Sequence, residues 1–488
     1  MSTNSYAMKM AVFSAITVSV HSIERRRIKG SIEFEKDGKK SSFDLIFTYS
    51  EDIKADNNMA GLILTMPAIN FAYFSRELIL NFEVEEPDEK IIREWVTINN
   101  REVFINHICR RRYEFFKEPY IPKENDITPE NSVGITKISF PKRRKTMGLT
   151  GTDHDGVGIM SSGGKESLLS SGIFSEIGVN PLHIFYNESG AHWLPAKTAH
   201  DNMKESGKRV AKVWSNTDRF YKFGLRLLPQ IDMDVVAKKA DSYPIQAFIF
   251  PVYIMALLPL AIREGIGNLI MGDEFDDPLE MEDFHGIQHF YGVYDQSNLF
   301  NSRISDYFKE KLLGISVWSA VYPINGSVEE RILIQRYPGL FSLQRSCHSC
   351  RKVGDAIIPC GVCSKCLGIL LFVLAAGGNP KLIGYREQHI QDLQKNLART
   401  SLRLDRDELE LMKRKVFHND HSTVSHVEMV HIIPGESGPF SMIPEEFRGK
   451  IANIITPYTS GTCSVVQGKW KPICRDQKNR DSAAFTSS

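Results

Sequence analysis

Ser161-Ser162-Gly163-Gly164-Lys165-Glu166-Ser167 brings hydroxyls, two glycines, an ammonium and a carboxylate into one short stretch. Such a set suits a phosphate. Consecutive N–H groups converge in a glycine-rich turn, the helix that follows adds the positive end of its dipole, and Lys165 supplies a full charge. Gly158-Ile159-Met160 ahead of it reads as a strand and Lys165 onward as a helix start. The spacing excludes a Walker A loop, which has a longer spacer before its Gly-Lys pair. An ordinary strand-to-helix turn also carries Ser and Gly, for capping and for positive φ. The reading therefore depends on what else the chain brings to the same place.

Two further strand ends point there. Leu182 to Tyr186 is an apolar run that ends ahead of Glu188, and Asn268-Leu269-Ile270-Met271-Gly272 runs out into Asp273, Glu274, Asp276 and Asp277. Hard carboxylate oxygens suit the Mg²⁺ that rides with ATP, an ion that would neutralise a departing pyrophosphate. Asp273 is the expected ligand and catalytic group because it directly follows Gly272. The stretch Gly286 to Ser297 is rich in aromatic and hydrogen-bonding side chains, as a substrate pocket would be. His289, Tyr294 and Glu188 are the candidate proton carriers, although a lone His or Tyr in a loop is more often structural.

Five of the eight cysteines fall between Cys347 and Cys366. Crowding of this kind favours a metal site over a disulfide framework. Cys360-Gly-Val-Cys363-Ser-Lys-Cys366 supplies three soft ligands from one turn and a helix start, and tetrahedral zinc takes its fourth from another segment. Cys347, His348 and Cys350 stand upstream, with Cys350 or His348 as the spare. An iron–sulfur cluster accepts similar spacing. Cys109, Cys463 and Cys474 are isolated and read as plain thiols.

Ser-Gly-Gly-Lys-Glu-Ser resembles the Ser-Gly-Gly-x-Asp-Ser signature of the N-type PP-loop ATP pyrophosphatases, the adenine nucleotide alpha hydrolase-like superfamily, which cleave ATP between its α and β phosphates. The match departs at Glu166, where the family usually has Asp. Ser346-Cys347 followed by Cys360, Cys363 and Cys366 looks like the zinc set of 7-cyano-7-deazaguanine synthase. The added N-terminal region, Tyr294 to Ser297, and Tyr337 to Cys347 are similar in layout to the ATP-dependent epimerase of UDP-N-acetylmuramoyl-L-alanyl-L-glutamate. The resemblance spans roughly residues 157 to 376. It implies ATP held by Ser161, Ser162, Gly163, Gly164, Lys165, Glu166, Ser167, Tyr186 and Gly272, with Lys165 and Asp273 catalytic, and zinc on Cys347, Cys360, Cys363 and Cys366. The implied chemistry is adenylation of a small-molecule carboxylate with release of pyrophosphate, leading to epimerisation of a glutamyl-type substrate. The alternatives are a ligase forming an amide or nitrile, or a nucleotide-binding module without turnover.

These groups need a scaffold, and strand alternating with helix from Val157 onward implies right-handed crossovers and a parallel sheet. The expected fold is α/β: a Rossmann-like parallel sheet of the HUP/PP-loop type over residues 151–385, a β-rich α+β N-terminal domain and linker over 1–150, a helical or mixed extension over 386–470 and a disordered tail over 471–488. Alternation over Ser31 to Glu35 and Phe43 to Tyr49, with Asp37-Gly38 between them, predicts a hairpin. Ile91 to Lys117, with Arg110, Arg111 and Arg112 at its end, and Glu387 to Val416 are expected as helices. Pro141 to Lys145 reads as a solvated basic linker. With 488 residues, a net charge of +1 and 42% apolar content, nothing global points to nucleic acid or an anionic membrane as partner. The apolar run Ala247 to Ile262 is too short to span a bilayer and contains Pro251 and Pro259. The N-terminus lacks the pattern of a signal peptide, and a cytoplasmic location is expected.

Overall fold

In a computed structural model the protein is described over residues 5–110, 114–148, 155–188, 190–238, 249–274, 282–289, 294–402, 404–418, 426–433, 435–466 and 469–473. Strands β1 (Ala15–Glu24), β2 (Arg27–Lys36) and β3 (Lys39–Tyr49) pair antiparallel. They bury Ile16, Val18, Ile32, Phe34, Leu45 and Phe47, as alternation requires. Asp37 and Gly38 turn the β2–β3 hairpin with φ of 50° and 72°, the conformation that matches the twist of the flanking strands. The apolar segment that follows forms α1 (Asn57–Ile69), begun by the Asp56 carboxylate accepting from the Met59 N–H at 2.9 Å. Next come β4 (Glu77–Asn81), α2 (Glu86–Glu102) and β5 (Lys137–Ser139). The helix expected over 91–117 ends early, because α2 passes into a wide π turn at Val103–Cys109. Beyond it, the Lys117 N–H donates to the Gln230 carbonyl and the Asp232 N–H to that of Phe115, extended pairings that a continued helix would forbid.

From residue 156 strand and helix alternate: β6 (Gly156–Ser161), α3 (Lys165–Glu176), β7 (Leu182–Asn187), α4 (Gly190–Glu205), β8 (Val210–Ser215), α5 (Thr217–Leu227), α6 (Phe250–Arg263), β9 (Ile266–Met271), α7 (Asn298–Glu310), β10 (Ser316–Ser319) and α8 (Gly326–Arg336). Gly265, at φ 65°, follows α6 in the left-handed conformation that commonly ends a helix. One ten-stranded sheet has the order β10-β9-β6-β7-β8-β3-β2-β1-β4-β5. Strands β10 through β8 are parallel, and β3 joins β8 antiparallel. The protein is thus a mixed α/β fold around a large, mostly parallel sheet, consistent with a Rossmann-like arrangement. Strand order reverses between β6 and β9, and such a switch point opens a crevice at the carboxyl ends of the strands.

Alternate residues of the strands feed two apolar clusters on opposite faces. On β9, Leu269 joins the cluster containing Phe34, Leu62, Met255 and Tyr307, whereas Ile270 joins that containing Leu168, Val328 and Leu370. Residues before 150 therefore share one sheet and one core with those after it. Lys311, buried beyond α7, reinforces the junction by pairing with Glu85 and with Asp88 Oδ1 at 3.0 Å, near the start of α2. The expected basic linker is also tied down: Arg144 lies 2.6 Å from Asp56 and 2.9 Å from Glu85, so acidic neighbours offset its charge.

Close backbone approach fixes the base of β6. The Gly156 N–H donates to the Gly265 carbonyl, and a Cβ on Gly156 would lie 2.4 Å from that oxygen. Gly156→Ala is expected to push β6 off β9 and cost about 1–3 kcal/mol, read as a lower urea midpoint at unchanged m.

The run after Cys366 forms the buried helix α9 (Ser364–Ala375), and α10 (Arg406–His418) and α11 (Glu445–Ile455) follow it. The single helix expected from Glu387 to Val416 is divided into Glu387–Gln391, Leu393–Leu397 and α10. Asp405 starts the last of these anew by accepting from the Asp407 and Glu408 N–H groups, each at 2.9 Å. Val430–Ile432 pairs with Thr462–Val466, which pairs with Lys469–Pro472. The tail expected from Lys471 thus begins in a strand, and residues 474–488, with Cys474, lie outside the described residues. Among the described residues no helix is long and apolar enough to cross a membrane.

Candidate functional site

The loop from Ser161 to Ser167 leaves β6 at the switch point and becomes the first turn of α3. Gly163 has φ 78°, and a Cβ on Gly164 would come within 2.9 Å of Glu166 Oε2. The positive φ calls for glycine at Gly163. Ser162 Oγ accepts from the Gly164 N–H at 3.2 Å, and Ser167 Oγ donates to the Gly164 carbonyl at 3.2 Å. The first N–H groups of α3 open into this turn without intrahelical acceptors. Ser161, buried, lies 3.4 Å from the Nδ1 of His183.

Lys165 is buried, and its ammonium sits among carboxylates from three strand ends: 2.5 Å from Glu166 Oε1, 2.5 Å from Glu274 Oε2 and 3.3 Å from Glu329 Oε2. One oxygen from each of these acids lies within 4.8 Å of the others. Burial works to lower the Lys165 pKa, but Glu166, Glu274 and Glu329 outweigh it and hold the ammonium well above its ordinary range. Burial likewise opposes ionisation of Glu166, and Lys165 overcomes it, so that carboxyl is lowered. Glu329 is fully buried and burial wins there, raising it well above the carboxylate range. Glu330 and Glu408 stand nearby, pushed up by burial to about 7 and about 8. The site thus holds one ammonium against more acidic groups than it can neutralise.

Glu274, rather than Asp273, meets Lys165. Asp273 turns into the interior, where its Oδ2 accepts from Asn301 Nδ2 at 2.8 Å and its carbonyl accepts from Ser319 Oγ at 2.6 Å. Burial raises its pKa to about 8. A carboxyl raised in the folded state gives stability that is full below its unfolded pKa and is lost as pH climbs through the folded value. Asp273→Asn removes that loss. Its stability relative to the parent should rise as pH increases from about 4 to about 8, a trend that thermal melts across this range would record. Asp276 and Asp277 lie outside the described residues.

Glu329 and Glu330 on α8 and Glu408 on α10 have no counterpart in the sequence reading. For Glu329 and Glu330 the signal is the run Ile315 to Val321, which marks β10 and so places Asn325-Gly326-Ser327 beyond a further strand end; Glu408 arrives from α10 without a local signal. Gly326 closes the cage, since a Cβ there would lie 2.4 Å from Glu274 Oε2 and 3.1 Å from Lys165 Nζ. Gly272 has the same use, its missing Cβ being 3.1 Å from that of Glu166.

Other candidates are placed apart from Lys165 in their contacts. The Tyr186 hydroxyl bonds Ser215 Oγ at 2.7 Å and Thr217 Oγ1 at 3.2 Å, and burial raises its pKa. His289 is buried in a short hairpin against Phe284. Tyr294 lines a cavity of about 230 Å³ with Glu94, Arg101, Gln288 and Arg303. Its neighbours serve as caps: Asp295 accepts from the Ile249 and Phe250 N–H groups at the start of α6, and Ser297 from Phe300 at the start of α7. Arg110 lies over the Phe284 ring at 4.9 Å, while Arg111 and Arg112 fall outside the described residues.

Cys347, Cys360, Cys363 and Cys366 converge, with sulfurs within 4.8 Å of one another. Zn–S bonds of about 2.3 Å place sulfurs at the corners of a tetrahedron with edges of about 3.8 Å. Cys347 and Cys363 are 3.8 Å apart and Cys360 and Cys366 are 3.7 Å apart, far beyond a disulfide bond. The knuckle forms because Gly361, at φ 77°, turns the chain and frees its N–H for Cys366 Sγ at 3.3 Å. Cys363 then caps α9. These four cysteines could hold a metal such as zinc, and Cys350 and His348 are both outside the set. The segment also touches the loop, because the Arg345 N–H donates to the Gly163 carbonyl at 3.0 Å.

The chain matches no protein-family model and no curated protein. Among solved structures it is similar to the crystal structure of a predicted subunit of tRNA methyltransferase from Methanocaldococcus jannaschii, at 20% identity over 46% of this chain and 91% of that one. The TM-score is 0.20, a likeness that carries no argument about function.

Proposed function

We propose that this protein is a PP-loop enzyme of the HUP type that binds ATP with Mg²⁺ at Ser161–Ser167 and adenylates a substrate carboxylate, releasing pyrophosphate. The observation that carries the reading is the position of Lys165: it heads a helix at the switch point of the sheet, beside a glycine turn, within a cage of acids from neighbouring strand ends. A polyphosphate entering this cage alone would meet acidic side chains that already occupy the Lys165 ammonium. Glu166, Glu274 and Glu329 offer hard oxygens that fit Mg²⁺, which supplies charge neutralisation when bound and leaves Lys165 to turn toward the phosphates. The turn amides and Lys165 then stabilise charge as a carboxylate oxygen of the substrate attacks the α-phosphorus and the bond to the β-phosphate breaks. Cys347, Cys360, Cys363 and Cys366 would hold zinc as a structural brace for the loop.

The substrate we infer is a large carboxylate of the glutamyl-peptide type. The cavity beside Arg101 and Arg303 lies next to the caps of α6 and α7, elements that the N-terminal segment packs against. Adenylation acidifies the C–H beside the activated carbonyl, which opens a path to epimerisation; ligation to ammonia is the competing outcome. Incubation with ATP in deuterated water separates them. Deuterium at the α-carbon of UDP-N-acetylmuramoyl-L-alanyl-L-glutamate supports the first, and ammonia-dependent AMP formation with a carboxylated deazapurine overturns it.

A further inference from the structure

The charged groups around the cavity beside Tyr294 are not all committed to one another. Helix α2 presents Glu94, Ile98, Arg101 and Glu102 to it from one face, and α7 presents Leu299 and Arg303. Arg303 is already paired, its Nε lying 3.1 Å and 2.8 Å from the two carboxylate oxygens of Glu94. Glu102 is buried and accepts from Asn106 Nδ2 at 2.8 Å. Burial raises the pKa of the Tyr294 hydroxyl, so that group adds no charge. Arg101 is different. Partly buried in the last turn of α2, it lines the cavity and pairs with no carboxylate among the described residues.

Size and charge narrow the occupant. A guanidinium presents a planar fork of N–H groups that a carboxylate matches with two parallel hydrogen bonds. One uncommitted guanidinium balances one negative charge, whereas a phosphate or diphosphate would set a second charge against Glu94 and Glu102. The cavity, of about 230 Å³, is smaller than the roughly 300 Å³ from which pockets take whole drug-sized ligands. It suits one amino-acid-sized end of a larger molecule, with Ile98 and Leu299 as apolar walls for its carbon chain.

The start of α7 joins this cavity to the acid cage. Leu299 lies in the first turn of the helix, and Asn301, two residues on, donates to Asp273 Oδ2 at 2.8 Å. The residue after Asp273 is Glu274, which meets Lys165 at 2.5 Å.

The geometry points to Arg101 as the residue that receives a second, non-reacting carboxylate of the substrate and so makes the enzyme selective for dicarboxylates. This rests on the adenylation reading. Exchange at the α-carbon of a glutamyl end requires its α-carboxylate to be the one adenylated, because that carbonyl is the one beside the α-C–H. The γ-carboxylate is then the group that Arg101 holds. Arg101 determines specificity and takes no part in bond making or breaking.

The test compares UDP-N-acetylmuramoyl-L-alanyl-L-glutamate with its L-glutamine counterpart, in which a neutral amide replaces the γ-carboxylate. Binding is followed by calorimetry without ATP, and AMP release is followed with ATP and Mg²⁺. The parent should bind the glutamate compound more tightly by on the order of 50-fold. Arg101→Met should erase that preference by weakening the glutamate compound alone, raising its KM with little change in kcat. Arg101→Lys should keep part of the preference, since it retains the charge without the fork. A merely structural arginine would weaken both compounds alike, and that result overturns the assignment, as does equal affinity of the parent for the two. A parent that prefers the glutamate compound through Arg101 yet releases no AMP removes the adenylation reading and leaves the carboxylate subsite. A parent that releases AMP equally well from both compounds keeps adenylation and removes the subsite.

Discussion

Lys165→Met is expected to lower pyrophosphate release by on the order of 1,000-fold, because it deletes the full positive charge that Lys165 places at the head of α3. The same change should destabilise the fold. Glu166, Glu274 and Glu329 share the Lys165 ammonium, and removing one partner of a buried ionic cluster costs about 3–5 kcal/mol. Protonation softens that cost. Without the ammonium Glu166 loses the charge that lowers it and Glu329 the charge that opposes its rise, so both move up in the folded state and their contribution to stability falls as pH rises. The deficit relative to the parent should therefore be larger at pH ~8 than at pH ~5.5, as denaturant midpoints at the two pH values would register. Lys165→Arg should not rescue activity, since a planar guanidinium is a poor match for a cage built around an ammonium.

Cys363→Ser should abolish metal retention and cause the second large loss. Purified protein is expected to carry about one equivalent of zinc, and structural zinc contributes on the order of 10 kcal/mol in small domains at neutral pH. Here a loss of several kcal/mol is expected, seen as a lower melting temperature. Chelation should act through the loop as well, because Arg345 connects the cysteine segment to Gly163. ATP affinity should weaken on zinc removal and return on zinc addition. Cys350→Ser, outside the four, should be milder. Elemental analysis settles the metal: iron with labile sulfide would contradict zinc.

Local pattern carried the parts of the structure that the sequence reading anticipated. The Asp37-Gly38 hairpin, the strand-to-helix turn at Gly163 and the knuckle at Cys360 to Cys366 are each written within a few residues, where φ preference and ligand spacing decide the conformation. Pairing over distance is a different matter. Alternation marks β3 as a strand but does not name β8 as its neighbour, so the sharing of one sheet by both halves is not legible. The cage around Lys165 shows the same limit, since Glu274 lies more than 100 residues from Lys165 and Glu329 comes from yet another helix. Asp273 and Glu274 are adjacent in sequence, and only the Asn301 partner on α7 decides which of them turns inward. The fresh start of α10 within the pattern after Glu387 follows from one capping carboxylate, Asp405.

The most direct measurement is the product pair from ATP. Phosphorus NMR of the protein with ATP, Mg²⁺ and UDP-N-acetylmuramoyl-L-alanyl-L-glutamate should show AMP and pyrophosphate appearing together, and neither with Lys165→Met. ADP and inorganic phosphate as the sole products would contradict cleavage between the α and β phosphates, and with it the proposed chemistry of the loop.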